Sequence, residues 1–421
     1  MRFHPSLFLT VLFVPLASAL TLEEALAAAL ADNPTEAAAR ARLEQAEARL
    51  QQTRAAYQPR LTLEAGGTHI RLSDRELERT PGLPGEFEQY QAGLQASLLL
   101  FDGGERRGRT RAAAESVEAA RAARDLTLQE LTTAVSRTYV AAQTAREAVR
   151  IAEADEAFNQ RQLEETNQRR EAGQSALADS LNFEIRLQQA VSARVNAQRD
   201  VELLLSTLGT LMALEGPAPE PVAPVPEPPP ELPRFEDAWP GAESRLPEIR
   251  LARATLAASE SRARASRGER IPNLSLFGSV EARREDDPNF AGDDVGQTVG
   301  VVLSHDLWDG DARRQRRREA EAQVAEARAE VRRAELEARD TLRQSLSRLQ
   351  AAITQSEIRQ RTLELTRQNR DLIETSHRAG TESLLRLNEA QRDFLNAESR
   401  AAQARLELKN AEIDFLRAIG E

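Results

Sequence analysis

Tyr90 to Gly104 reads YQAGLQASLLLFDGG, and two periodicities meet inside it. Up to Phe101 the residues alternate as in a strand: Tyr90, Ala92, Leu94, Ala96, Leu98 and Leu100 share one face, while Gln91, Gly93, Gln95 and Ser97 share the other. From Asp102 the pattern becomes helical, and no proline interrupts it before Pro217. Asp102 suits an N-cap, because its carboxylate can accept from free first-turn N–H groups, and Gly103 and Gly104 allow the sharp turn between the two regimes. The same passage recurs at Val295 to Arg314, VGQTVGVVLSHDLWDGDARR.

That recurrence is part of a duplication. Pro34 and Pro59 bracket a helix that Pro247 and Pro272 bracket again, 213 residues on. Phe101-Asp102-Gly103 and Ala172-Gly173 return as Trp308-Asp309-Gly310 and Ala379-Gly380, 207 residues on. The difference between the two offsets falls between the paired strands, where loops vary in length. The expected order is a signal peptide over 1–19, a first repeat over 20–214, a Pro-rich linker over 215–234 and a second repeat over 235–421. The first repeat carries strands at 61–72 and 90–101, then helices at 105–171 and 175–213; a Pro/Gly-rich loop at 80–86 joins the strands. The second carries strands at 273–283 and 295–308, then helices at 311–378 and 382–418. Leu128, Leu131, Val135, Ala142 and Val149 fall at heptad steps, as do Leu342, Leu346, Leu349 and Ile353, so the long helices are expected to supercoil against neighbours.

Composition narrows the function. Aromatic residues make up only 4% of the chain and charged residues 29%, which disfavours one wide globular core and suits long helices. A net charge of −11 argues against a general nucleic-acid binder. Arg2, the apolar run Leu7 to Leu16 and Ala17-Ser18-Ala19 form an export signal with cleavage before Leu20. With no cysteine there is neither a disulfide framework nor a lipidated N-terminal cysteine. His4, His69, His305 and His377 are dispersed, none at a ligand spacing, and no phosphate-cradling glycine loop or nucleophile elbow appears. Neither an enzyme, a metal site nor a cofactor is expected.

Strands of about ten residues with one apolar and one polar face have the outer-membrane pattern. Four cannot close a barrel, since open edges in lipid leave backbone groups unpaired. Two protomers would supply eight strands and three would supply twelve, and the strand pattern does not choose. A pore-less periplasmic or secreted coiled-coil scaffold or adhesin is the competing reading. One further feature follows from the duplication: Arg106, Arg107, Arg109 and Arg111 return as Arg313, Arg314, Arg316 and Arg318. Arginine at a helix start opposes the dipole, so a basic belt at the membrane rim, satisfied by lipid head groups, is expected there.

TLEEALAAALADNP after the leader, AAYQPRL, LLLFDGG and the turns EAGQSALADSLNFE and RAGTESLLRLNEAQ together resemble the TolC family of outer-membrane efflux proteins over essentially the whole mature chain. The resemblance implies a mainly α fold with a small β part: a homotrimer in which a transmembrane β-barrel is continued by a long periplasmic coiled-coil helical barrel. It implies an exit duct in the outer membrane, docked by a periplasmic adaptor protein and an inner-membrane efflux pump or ABC exporter. The turns Arg169, Ala172, Gly173, Gln174 and Arg378, Ala379, Gly380, Thr381 correspond to the family's adaptor-docking tips. Its pore-narrowing acidic positions fall on Arg386 and Glu389, with Asp179 and Asn182 as their first-repeat equivalents. One of the two has the opposite charge, so an Arg386/Glu389 pair locking the tip replaces a purely acidic ring as the expectation.

Overall fold

The computed structural model describes residues 19–31, 33–79, 82, 84–223 and 232–421. The leader before Ala19, parts of the 80–86 loop and the centre of the linker lie outside the described residues. In chain order the elements are α1 (Leu22–Ala31), α2 (Pro34–Ala55), β1 (Arg60–Arg71), α3 (Asp74–Arg79), β2 (Glu86–Phe101), α4 (Glu105–Glu171), α5 (Leu177–Leu211), α6 (Phe235–Arg245), α7 (Pro247–Gly268), β3 (Asn273–Glu285), β4 (Val295–Ser304), α8 (Ala312–Arg378) and α9 (Leu384–Ile419). A single 3₁₀ turn, Gly292–Asp294, precedes β4. The chain divides into two compact units, one of Arg40–Arg124 with Pro247–Leu336 and the other of Met1–Ala39, Asp125–Leu246 and Glu337–Glu421. Both long helices, α4 and α8, have 67 residues, about 100 Å each at 1.5 Å per residue.

The first unit holds one antiparallel sheet in the order β1-β2-β3-β4. Its register carries the duplication into three dimensions, since Arg60 pairs with Ser97 and, shifted by 213 and 207, Asn273 pairs with Ser304. Cross-strand rows sort by polarity. Leu61, Ala96, Gly278 and Val299 form one row, and Thr62, Gln95, Ser279 and Thr298 form another on the opposite face. Leu61, Leu63, Val299 and Leu303 are 68%, 76%, 82% and 69% exposed, so the apolar face is bare of protein. β2 begins at Glu86, earlier than its sequence pattern suggests, because Arg71 and the residues before it still pair with Glu86–Gln89. β4 ends at Ser304 rather than 308, since the next partner position is Pro272, just before β3, which has no N–H to donate.

Helix α7, most of α2 and the first turns of α4 and α8 belong to the same unit. Gly108, the only glycine of α4, marks a close helix crossing: a Cβ there would lie 2.7 Å from the Cβ of Ala265 on α7. Gly103 combines a left-handed φ of 64° with a Cβ position 2.6 Å from the carbonyl oxygen of Gly268. Ion pairs repeat with the duplication. Arg121 on α4 meets Glu47 on α2 at 3.6 Å, and their equivalents Arg328 and Glu260 meet at 3.1 Å.

The second unit has its own core. Leu20, Ala25, Ala29, Leu131, Val135, Tyr139, Val140, Leu208, Met212 and Ala218 pack as one buried cluster, and the heptad residues Ala142, Leu342 and Leu349 are buried as well. Helix α1 opens with a capping box, Thr21 N–H donating to Glu24 and Glu24 N–H to Thr21 Oγ1. Leu20 is tied to the linker, donating its N–H to the Glu220 carbonyl (2.8 Å) and accepting from Val222 N–H (2.9 Å) and the Tyr139 hydroxyl (2.8 Å). Helix α6 is held by an aromatic and arginine ladder: Phe235 stacks on Trp239, with the Arg343 guanidinium 4.6 Å and the Arg339 guanidinium 4.9 Å from the respective ring centres. Between α4 and α9, Asp155 accepts from Gln391 Nε2 (3.0 Å) and Asn159 Nδ2 (3.1 Å), and burial pushes its carboxyl above the ordinary aspartate range.

Gly103→Ala is expected to cost roughly 1–3 kcal/mol, through overpacking and a strained φ, read as a lower thermal unfolding midpoint of the detergent-solubilised protein. Asp155 predicts a pH effect of defined sign. A raised carboxyl pKa gives stability that is full below the unfolded value of about 3.9 and is lost as pH rises through the folded value. Asp155→Asn keeps the acceptor oxygen and removes that loss, so its midpoint should exceed the parent's at pH 7, with the gap closing in acid; a lower midpoint at pH 7 would overturn the assignment.

Candidate functional site

The two helix reversals have the same geometry. At the first, Gln174 N–H donates to the Arg169 carbonyl (2.7 Å) and Gly173 N–H to the Arg170 carbonyl (2.9 Å). At the second, Thr381 N–H donates to the Ser376 carbonyl (3.0 Å) and Gly380 N–H to the His377 carbonyl (3.0 Å). This is the Schellman pattern, and it needs a left-handed residue at its fifth position: Gly173 has φ 75° and Gly380 has φ 78°. Nothing approaches the Cβ position of either glycine, so backbone conformation and not crowding selects it. Ala172, Gln174, Ala379 and Thr381 flank the glycines, and both tips stand exposed. Arg169 makes no ion pair among the described residues, whereas Arg378 pairs with Glu374 at 2.6 Å.

Past the turns, the residues expected to narrow a pore are engaged locally. Asp179 accepts from Ser175 Oγ (3.0 Å) and Ala176 N–H (3.3 Å), which caps the start of α5. Asn182 Oδ1 accepts from Arg186 Nε at 2.9 Å. Arg386 pairs with Glu382 at 3.5 Å, one helical turn back, and Glu389 has no ion pair among the described residues. An Arg386–Glu389 pair is therefore not formed within a chain.

At the strand-to-helix junctions, Asp102 carries more than a cap. Its carboxylate accepts from Gly104 N–H (3.1 Å) and Arg106 N–H (2.9 Å) and also from Arg106 Nε (2.9 Å). Arg106 then reaches the carbonyls of Ala56 (3.1 Å) and Leu100 (3.3 Å) and lies 4.7 Å from the centre of the Tyr57 ring. Asp309 and Arg313 repeat this, with Arg313 donating to the carbonyls of Glu269 (3.3 Å) and Asp306 (2.5 Å). The Arg313 backbone N–H holds the Asp309 carboxyl below its ordinary range. Gly103 and Gly310 both take left-handed φ, and Phe101 and Trp308 are 50% and 87% exposed beside them.

These contacts correct one expectation. Arg106 and Arg313 do not belong to an outward basic belt, because each is drawn inward by the capping aspartate and the end of the neighbouring helix. The remaining six are exposed. Arg109 pairs with Glu105, Arg111 with Glu115, Arg314 with Asp311 and Arg316 with Glu269, while Arg107 and Arg318 make no ion pair among the described residues.

Several polar contacts had no local sequence signal. Buried Glu398 on α9 pairs with Arg150 on α4 (3.0 Å), and Arg405 reaches Glu147 (2.7 Å). Arg150, Glu147 and Arg405 border a cleft of about 940 Å³, which Arg146, paired with Glu220 at 2.8 Å, also lines. Among the described residues no group of three or more His, Cys, Asp or Glu side chains is placed to hold a metal ion, and no helix is long and apolar enough to cross a membrane.

Comparison with known proteins follows this geometry. CyaE of Bordetella pertussis is 29% identical over 407 residues, covering 96% of this chain and 84% of that protein. The pyoverdine export outer membrane protein OpmQ of Pseudomonas aeruginosa is 28% identical over 423 residues, covering 95% and 85%. Among solved structures, the Campylobacter jejuni CmeC outer membrane channel superposes with a TM-score of 0.84 at 17% identity, over 95% of this chain and 85% of that one. The Vibrio cholerae outer membrane protein VceC gives 0.81 at 18% identity, over 95% and 96%. The family model for outer membrane efflux proteins matches residues 25–214 and 240–421, and the chain belongs to that family.

Proposed function

We propose that this protein is the passive outer-membrane exit duct of a tripartite efflux or type I secretion system. In this reading three copies close a 12-stranded barrel, and their long helices continue the duct into the periplasm. The observation that carries it is the four-stranded sheet, bare on its apolar face and open at both edges, β1 and β4. An apolar face of that kind fits hydrocarbon, and unpaired edges in hydrocarbon require further strands. The exposed Schellman turns at Gly173 and Gly380, with Arg169 in no ion pair among the described residues beside the first, are the surface offered to a periplasmic adaptor, which links the duct to an inner-membrane pump or ABC exporter. The duct performs no covalent chemistry, and choice of cargo rests largely with the pump.

Arg386 and Glu389 stand one turn apart on α9, so that three copies would bring six charges to one level of the tip. The six outward arginines after the junctions would face lipid head groups at the rim, where each is worth about 1 kcal/mol against an anionic surface.

Purified from an outer-membrane fraction, the protein should run as a heat-modifiable trimer and conduct as single channels in planar bilayers. A pore-less scaffold would give coiled-coil oligomers without conductance. Arg386→Ala with Glu389→Ala is expected to change conductance or ion selectivity severalfold; unchanged traces would remove those residues from the constriction. Glutamine at Arg107, Arg109, Arg111, Arg314, Arg316 and Arg318 should lower trimer recovery from the membrane, and full recovery would exclude a lipid-rim role.

A further inference from the structure

Helix α9 is fastened to α4 by polar rungs one heptad apart on α9. Arg405 reaches Glu147 (2.7 Å), buried Glu398 pairs with Arg150 (3.0 Å), and buried Gln391 donates from Nε2 to Asp155 Oδ1 (3.0 Å). The first two rungs join full charges. The third, the nearest of them to the Gly380 turn, sets an amide against a carboxyl with no arginine between them. Neither half of it is complete. Asp155 Oδ1 accepts a second time, from Asn159 Nδ2 (3.1 Å), while Oδ2 has no donor among the described residues. Gln391 is 6% exposed, and its Oε1 is buried without a hydrogen-bond partner.

Two acceptor oxygens without a donor, on side chains already joined, are short of one proton. A carboxyl and a primary amide are matching planar forks. With a proton on Oδ2, Asp155 donates to Gln391 Oε1 while accepting from Nε2, which closes a ring of two hydrogen bonds and satisfies the buried amide on both arms. Without that proton, carboxylate lone pairs face the amide oxygen. The surrounding charges leave the choice to burial. Arg186 of α5 favours the ionised form but donates to Asn182 (2.9 Å) instead. Glu156 of α4 is paired with Arg194 (2.6 Å) and Glu398 with Arg150, while Glu153 of α4 and Glu389, Arg392 and Asp393 of α9 are exposed. The carboxyl is accordingly pushed above the ordinary aspartate range, burial being the largest cause. The duplication does not repeat this rung, since Thr362 and Glu184 stand at the equivalent places.

We propose that Asp155 and Gln391 form a proton-operated clasp, closed as an acid–amide pair and released on ionisation, that fixes the tip-ward turns of α9 to α4. Those turns carry Arg386 and Glu389. Resting on the duct reading above, acid in the periplasm therefore holds the constriction, and its removal frees it. The two arginine rungs do not depend on that proton and keep the rest of α9 in place. The sign follows from the acid form being the paired one: closure is full in acid and is lost as pH rises through the folded pKa of Asp155.

Asp155→Asn tests the clasp directly, since its Nδ2 donates where the acid proton would and cannot ionise. Amide hydrogen exchange of α9 around Gln391 is compared between parent and variant at each pH, so that the intrinsic pH dependence of exchange cancels. The two should agree in acid, and above the transition the parent should exchange severalfold faster. Equal rates at every pH, or a faster variant, overturn the clasp. Gln391→Glu gives a second reading that does not depend on how Asp155→Asn folds. Two facing carboxyls retain one shared proton to higher pH, so the transition in α9 exchange should move up; an unmoved or lowered transition overturns the pairing. In planar bilayers, parent conductance should rise severalfold through the same transition while Asp155→Asn stays at the acid level. A parent whose α9 exchange responds to pH and whose conductance does not overturns the coupling to the duct. A protein that conducts at no pH overturns the duct reading itself, and exchange then decides the clasp alone.

Discussion

A strand edge carries a row of N–H and C=O groups that must be paired, and in hydrocarbon no water is available to pair them. That constraint bears on everything in this chain. It explains why a sheet of only four strands can be a complete contribution and yet an incomplete structure. It also explains why the apolar side chains of that sheet are left bare while buried positions are spent on the helices. Packing within one copy can only prepare the edges; it cannot satisfy them.

The junction after each strand links sheet to helices. Asp102 and Asp309 each accept a helix N–H and hold an arginine that runs across to the backbone of the preceding helix, so that strand end, long-helix start and shorter-helix end share one hydrogen-bonded knot. A charged pair with 13% and 8% side-chain exposure is expensive to bury unless each partner has several hydrogen bonds, which Asp102 and Arg106 do. The left-handed residues Gly104 and Asp311 follow directly, and aspartate is among the few non-glycine residues that tolerate that conformation.

What could be read from sequence was what is local. The strand faces follow from alternation over ten residues, and the turns at Gly173 and Gly380 from a glycine closing a long helix. The duplication was legible because two glycine-containing motifs and two proline brackets kept their spacing. The end of β4 was not legible, because it is set by Pro272, the residue before a different strand. Nor were the inward turns of Arg106 and Arg313, which reach the carbonyls of Ala56 and Glu269, just past the ends of α2 and α7. The Asp155–Gln391 and Arg150–Glu398 contacts join α4 to α9 across most of the chain, and no pattern within either helix announces them.

Leu20 has a consequence for the order of events during folding. Its N–H and carbonyl are paired with Glu220 and Val222 respectively, and its side chain belongs to a core built also from α4 and from α5. All of those partners lie more than 100 residues further along the chain. The N-terminal segment must therefore wait, unlatched, through the emergence of the entire first repeat. Closure of that latch marks the moment when one half of the chain is ready to receive the other, so residues made early are among the last to settle.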